Sequence, residues 1–174
     1  MNDFKNYDGV VNLFRSVNCI GKENCFFVTF KNNNREGLKY GALGAIGGAV
    51  GAGIAAAVSS FSSGVLQGIE AYEGLLFNQT EMGLGIIPLS QNGVQMFLNV
   101  DKLEAHPERF VFIPNQYIES IVVKNFNIFN KKMQKVNIKL TDGYTFYQVA
   151  RLKEKNVNYQ ESEFGRFVSR YKKK

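Results

Sequence analysis

Between Tyr40 and Ile69 the chain carries no charged residue, and most positions are glycine, alanine, serine or an aliphatic side chain. A helix needs roughly 20 such residues to cross a hydrocarbon core, so the stretch is long enough to span a bilayer. Its large apolar residues, Leu43, Ile46, Val50, Ile54, Val58, Phe61 and Val65, follow one another at steps of three or four, which is the spacing of one helix face. Small residues fill the remaining faces. Gly37, Gly41, Ala45, Ala49, Gly53 and Ala57 form one row and Gly44, Gly48, Ala52 and Ala56 another, with Gly51 between them. Such rows let two backbones approach closely, so the run reads as a glycine zipper that inserts into a membrane or associates with copies of itself.

Two features weigh against a simple span. Glycine costs about 1 kcal/mol relative to alanine in a helix interior, and the run Ser59-Ser60-Phe61-Ser62-Ser63-Gly64 is a natural break that favours a helical hairpin. Lys31, Arg35 and Lys39 precede the run while Glu70, Glu73 and Glu81 follow it. By the positive-inside tendency, a single span would place the basic C-terminal part outside; a hairpin or a peripheral insertion avoids this. A soluble helix or loop packed on the rest of the protein is the plain alternative.

Beyond Glu73 the pattern changes to short apolar runs bounded by turn residues, as in an antiparallel β-domain. Candidate strands are 75–78, 83–89, 94–100, 109–113, 118–124, 135–140 and 144–150. In the sixth, Val136, Ile138 and Leu140 alternate with Lys135, Asn137 and Lys139, so one face is buried and the other is basic and wet. Asp142-Gly143 follows at once and predicts a hairpin. Phe164, Phe167, Val168 and Tyr171 then mark the apolar face of a C-terminal amphipathic helix.

The segments FVFIPNQYIESIVVKNFNIFNKKMQKVNIKLTDGYTFYQVA and YQESEFGRFVSRY resemble bacterial pleckstrin-homology-like and GRAM-like domains. In these, an I-P-x-x-x-I-x-S-I strand precedes a lysine-rich hairpin, a D-G turn and a closing helix. The resemblance covers about residues 75–171 and implies a strongly bent sheet or small barrel with a helix plugging one end. It also implies binding of a lipid headgroup or a protein, without catalysis. Lys124, Lys131, Lys132 and Lys135 match the basic hairpin by position, whereas the phosphoinositide signature of some eukaryotic pleckstrin domains is missing from the first hairpin. The same lysines also read as edge-guarding surface residues.

The expected organisation is a segment 1–36 supplying a strand at 25–30, the zipper at 37–69, and a β-domain at 70–174 with its helix at 158–171. The fold class is mainly β (α+β), with an added Gly/Ala-rich apolar helix or helical hairpin. At 45% hydrophobic and 21% charged residues the composition is that of a folded chain, and a net charge of +6 favours anionic partners. Nucleic acid is disfavoured, because the lysines are not interleaved with aromatic residues in a known RNA-binding motif.

Two cysteines, Cys19 and Cys25, and one histidine, His106, do not make a four-ligand zinc site, and no cofactor is expected. The thiols read as reduced and cytoplasmic, and the N-terminus, with Asp3 and Asp8 and no apolar run, as no secretory signal. His106, beside Pro107 in a polar turn, offers no evident triad, and the glycines at 41–53 lack the Gly-Lys-Ser/Thr of a phosphate loop. The functional expectation is a non-enzymatic, membrane-associating module on an anionic surface or a protein partner. The alternative is a soluble homo-oligomer with zippers packed between subunits.

Overall fold

The computed structural model describes residues 3–31, 61–91 and 99–172. Helix α1 (Tyr7–Ser16) leads into strand β1 (Asn24–Lys31), and after a short helix α2 (Gly64–Ile69) come β2 (Gly74–Thr80) and β3 (Gly83–Gln91). Strands β4 (Leu103–Ala105), β5 (Val111–Pro114), β6 (Ile118–Asn125), β7 (Met133–Leu140) and β8 (Thr145–Arg151) follow, and helix α3 (Gln160–Tyr171) ends the described chain. The strands form one antiparallel sheet in the order β4-β3-β2-β1-β8-β7-β6, with β5 also on β3, so the fold is mainly β with a C-terminal helix.

Six of the seven expected strands lie where the patterns place them, as does the early strand at 25–30. The exception is 94–100: residues 92–98 lie outside the described ones, and Val100 opens a single 3-10 turn ahead of β4. Helix α1 is an addition to the sequence reading. The Asn6 side chain caps it by accepting from Gly9 N at 2.7 Å, Asp8 lies in its first turn, and Val10, Leu13 and Phe14 form its buried face.

That helix explains why β1, β2 and β3 read as continuous apolar runs. Along β1, Cys25 and Phe27 enter one core while Phe26, Val28 and Phe30 enter a second on the opposite face. The split continues through Leu75 and Phe77 against Leu76, and through Leu84 and Ile86 against Ile87 and Leu89. The second core is closed by Phe4, Val10, Leu13, Phe14 and Cys19, so this half of the sheet is covered on both sides. Gly85 makes room for that cover, since a Cβ there would lie 2.4 Å from Cys19 Sγ. Strands β6 and β7 bury one face only, while β8, beside β1, also buries Val149 on its other face. Val136, Ile138 and Leu140 face the first core, and Lys135, Asn137 and Lys139 lie outside, as their alternation predicts.

The halves meet at a short seam. Strand β1 pairs with β8 only at Phe30↔Val149 and Lys31↔Gln148, and earlier residues of β1 are served instead by α3 side chains. Gln160 Oε1 accepts from Val28 N at 2.8 Å, and its Nε2 donates to Val28 O at 3.0 Å and to Arg151 O at 2.9 Å. One turn on, Glu163 Oε2 accepts from Phe26 N at 3.3 Å; a further turn on, Arg166 donates to Asn24 O at 2.7 Å. The helix thus replaces a neighbouring strand through side chains at i, i+3 and i+6. Its other face seats Phe164, Phe167 and Val168 in the first core.

Candidate functional site

The four lysines singled out in the sequence come together at one end of the sheet. Lys124 and Lys135 are direct cross-strand partners on β6 and β7, and Lys131 and Lys132 lie in the turn that joins these strands. Like charges placed opposite each other repel. Among the described residues none of the four forms an ion pair, and the Lys135 ammonium lies 5.2 Å from the centre of the Phe126 ring. Of the carboxylates that follow β8 in the chain, Glu154 holds Arg151 at 2.9 Å and Glu161 holds Lys153 at 2.9 Å.

The turn also carries two apolar side chains that the sequence reading passed over, Ile128 at 84% and Phe129 at 96% exposure. It is a constructed turn. Asn127 Oδ1 accepts from Phe129 N at 3.0 Å and Asn130 N at 2.6 Å, and Asn130 Oδ1 accepts from Met133 N at 3.3 Å. Leu152 N donates to Lys132 O at 2.8 Å, bracing the hairpin from the segment after β8. Asparagines framing an apolar pair were the available signal in FNIFN, though exposure itself is set by tertiary structure.

The residues that follow the zipper lie at the other end of β6 to β8. Gly41, Leu43, Gly44, Ile46, Gly48, Val50, Gly51, Gly53, Ile54 and Val58 lie outside the described residues. The chain leaves the sheet at Lys31, which pairs with Gln148, and is described again from Phe61. Phe61, counted in the zipper stripe, packs against the β-domain, with its ring 5.4 Å from Tyr117; Val65, Leu66 and Ile69 also join the first core. Asp142 in the β7–β8 turn accepts from Tyr144 N at 3.0 Å and hydrogen-bonds the Ser63 side chain, and these bonds hold its carboxyl below the ordinary range. Gly143 supplies the positive φ of that turn, +90°. Among the described residues no helix is long and apolar enough to cross a membrane.

Tyr144 donates to Glu70 Oε2 at 2.5 Å beneath α2. Burial raises the Glu70 carboxyl above its usual range, with the Tyr144 hydrogen bond and Lys31 opposing the rise. The folded state therefore holds this proton more tightly than the unfolded chain does. Ionised Glu70 opposes folding at neutral pH, and that opposition fades as pH falls through the carboxylate range. Glu70→Gln is expected to raise the melting temperature near pH 7 and to lose its advantage by about pH 4. Equal shifts at both pH values, measured by thermal unfolding, would contradict this reading.

A third cluster joins Ser90, His106 and Glu108. Ser90 Oγ lies 2.5 Å from His106 Nε2, and His106 Nδ1 lies 2.9 Å from Glu108 Oε1. The donor–acceptor order is that of a nucleophile, base and carboxylate, and β3–β4 pairing creates it across a gap in sequence where no triad was evident. The setting is that of a surface tie. Ser90 sits on paired strand backbone opposite Glu104, and the Glu108 side chain is 56% exposed. The chain of bonds fastens the turn after β4 to the end of β3.

Cys19 and Cys25 are free and buried, and burial pushes their thiols up to about 12 and about 11 respectively. Among the described residues no group of histidine, cysteine and carboxylate side chains could hold a metal ion. Comparison of the chain with protein-family models, curated proteins and solved structures found no match.

Proposed function

We propose that this chain is a non-enzymatic membrane-associating module: a pleckstrin-homology-like β-domain whose basic hairpin meets an anionic surface and whose glycine-zipper insert enters a membrane or pairs with copies of itself. The observation that carries the reading is the cluster Lys124, Lys131, Lys132 and Lys135, gathered on one hairpin with no acidic partner among the described residues. Mutual repulsion there is relieved by an anionic ligand, and each lysine near an acidic leaflet contributes on the order of 1 kcal/mol. The domain assignment is supported by the uninterrupted antiparallel order and by the C-terminal helix seated where β1 and β8 part. The uncharged insert joins the domain between β1 and β2, where residues of both its flanks are anchored: Lys31 N donates to Glu73 O at 3.1 Å.

Vesicle flotation of the full chain tests the reading. Flotation with phosphatidylserine-containing vesicles that weakens as salt is raised is expected, with less on phosphatidylcholine alone. Recovery in the bottom fraction with every vesicle would overturn it.

A further inference from the structure

Resting on that reading, we propose that the tip of the β6–β7 hairpin is a membrane wedge, in which Ile128 and Phe129 enter the acyl boundary of an anionic leaflet while Lys124, Lys131, Lys132 and Lys135 contact its phosphates. The first argument is exposure. Ile128 and Phe129 are adjacent, and at 84% and 96% they have almost no contact with their own protein. Among the described residues the other large apolar side chains in the open, Tyr7, Met82 and Tyr147, are 46%, 43% and 53% exposed and lie apart from one another in the sequence. An isoleucine and a phenylalanine held together in water gain on transfer to an apolar medium, and nothing in the described fold supplies one.

The second argument is preorganisation. The Asn127 and Asn130 side chains fix the turn from within, and Phe126 N closes its base by donating to Met133 O at 2.9 Å. Presenting the pair therefore costs little ordering on binding.

The third argument is charge. The lysines flank the apolar pair on both strands and within the turn, so apolar insertion and contact with phosphate occur in one approach. Two side chains are a small contact beside the roughly 1,200–2,000 Å² that a stable protein interface buries, but enough for an insertion when a continuous charged surface supplies the rest.

The chain contains no tryptophan, so Phe129→Trp in the full chain places a single fluorophore at the tip. With phosphatidylserine-containing vesicles its emission is expected to move to the blue and to be quenched by brominated acyl chains. With phosphatidylcholine alone it should stay close to its value in buffer. Ile128→Ser with Phe129→Ser is expected to weaken vesicle affinity about tenfold or more at an unchanged melting temperature. Lys131→Gln with Lys132→Gln should cost about fivefold per lysine, while the shift returns at saturating lipid. Emission from the Phe129→Trp variant that stays water-like while the chain floats with the vesicles overturns the wedge and leaves the membrane reading standing. A blue emission before any vesicle is added also overturns it, by showing the tip covered by protein. Absence of flotation with every vesicle overturns both.

Discussion

Gln160→Leu is expected to destabilise the protein by about 4 kcal/mol, more than its change in size or polarity alone would suggest. The side chain is fully buried and serves three backbone groups: Val28 N, Val28 O and Arg151 O. Leucine fills a similar volume and serves none of them. Each buried backbone group left without a partner costs about 1–3 kcal/mol, and Val28 has no alternative on β8, whose pairing with β1 covers Phe30 and Lys31. Chemical denaturation reads the effect as a fall in midpoint at constant slope. A loss below about 1 kcal/mol would mean that the edge of β1 is rescued by water or by a shift of α3, and that the helix does not act as a strand substitute.

Phe27→Ala is expected to cost about 3–5 kcal/mol. Its ring is fully buried, stacks on Phe77 at 5.0 Å with 2° between planes, and lies 5.2 Å from Phe164 and 4.4 Å from Phe167. One side chain thereby ties β1, β2 and α3 together, and the cavity left by alanine opens where all three converge. Phe129→Ala is the internal control. It removes the same atoms from a 96% exposed position and is expected to change stability by less than about 0.5 kcal/mol. Equal losses at the two positions would contradict the burial assigned to either.

What could be read from the chain followed how many faces of each element are covered. Strand β7 has one wet face, so Val136, Ile138 and Leu140 stood out by alternation, and Asp142-Gly143 marked the turn because the φ of Gly143 favours glycine there. Strands β1 to β3 are covered twice, and the second cover, α1, shows itself only in Val10, Leu13 and Phe14, too few apolar residues to announce a helix by themselves. The apolar face of α3 was legible in Phe164, Phe167 and Val168. Its polar row was not, because glutamine, glutamate and arginine on a helix ordinarily point to water, whereas Gln160, Glu163 and Arg166 complete a sheet edge. For the candidate site, charge was visible as composition while exposure was not. The lysines were legible; Ile128 and Phe129 were not singled out, because nothing in their types or spacing says which way they face.

The flank that follows the insert stands at one end of the strands and the hairpin at the other. Ser63, on the flank that follows the insert, hydrogen-bonds Asp142 and puts that root at the Asp142-Gly143 turn, while Met133 and Arg151 put the hairpin at the far end of the same strands. The 8 residues of β7 set those ends roughly 25 Å apart at about 3.3 Å per residue. Under the proposed membrane reading, a body grafted at one extremity and tacky at the other would reach a single flat sheet of lipid with both only by lying along it, or if the graft doubled back past the strands. Standing upright, it would be a spacer, and under the proposed membrane reading the layer met by Phe129 would differ from the layer that holds the graft.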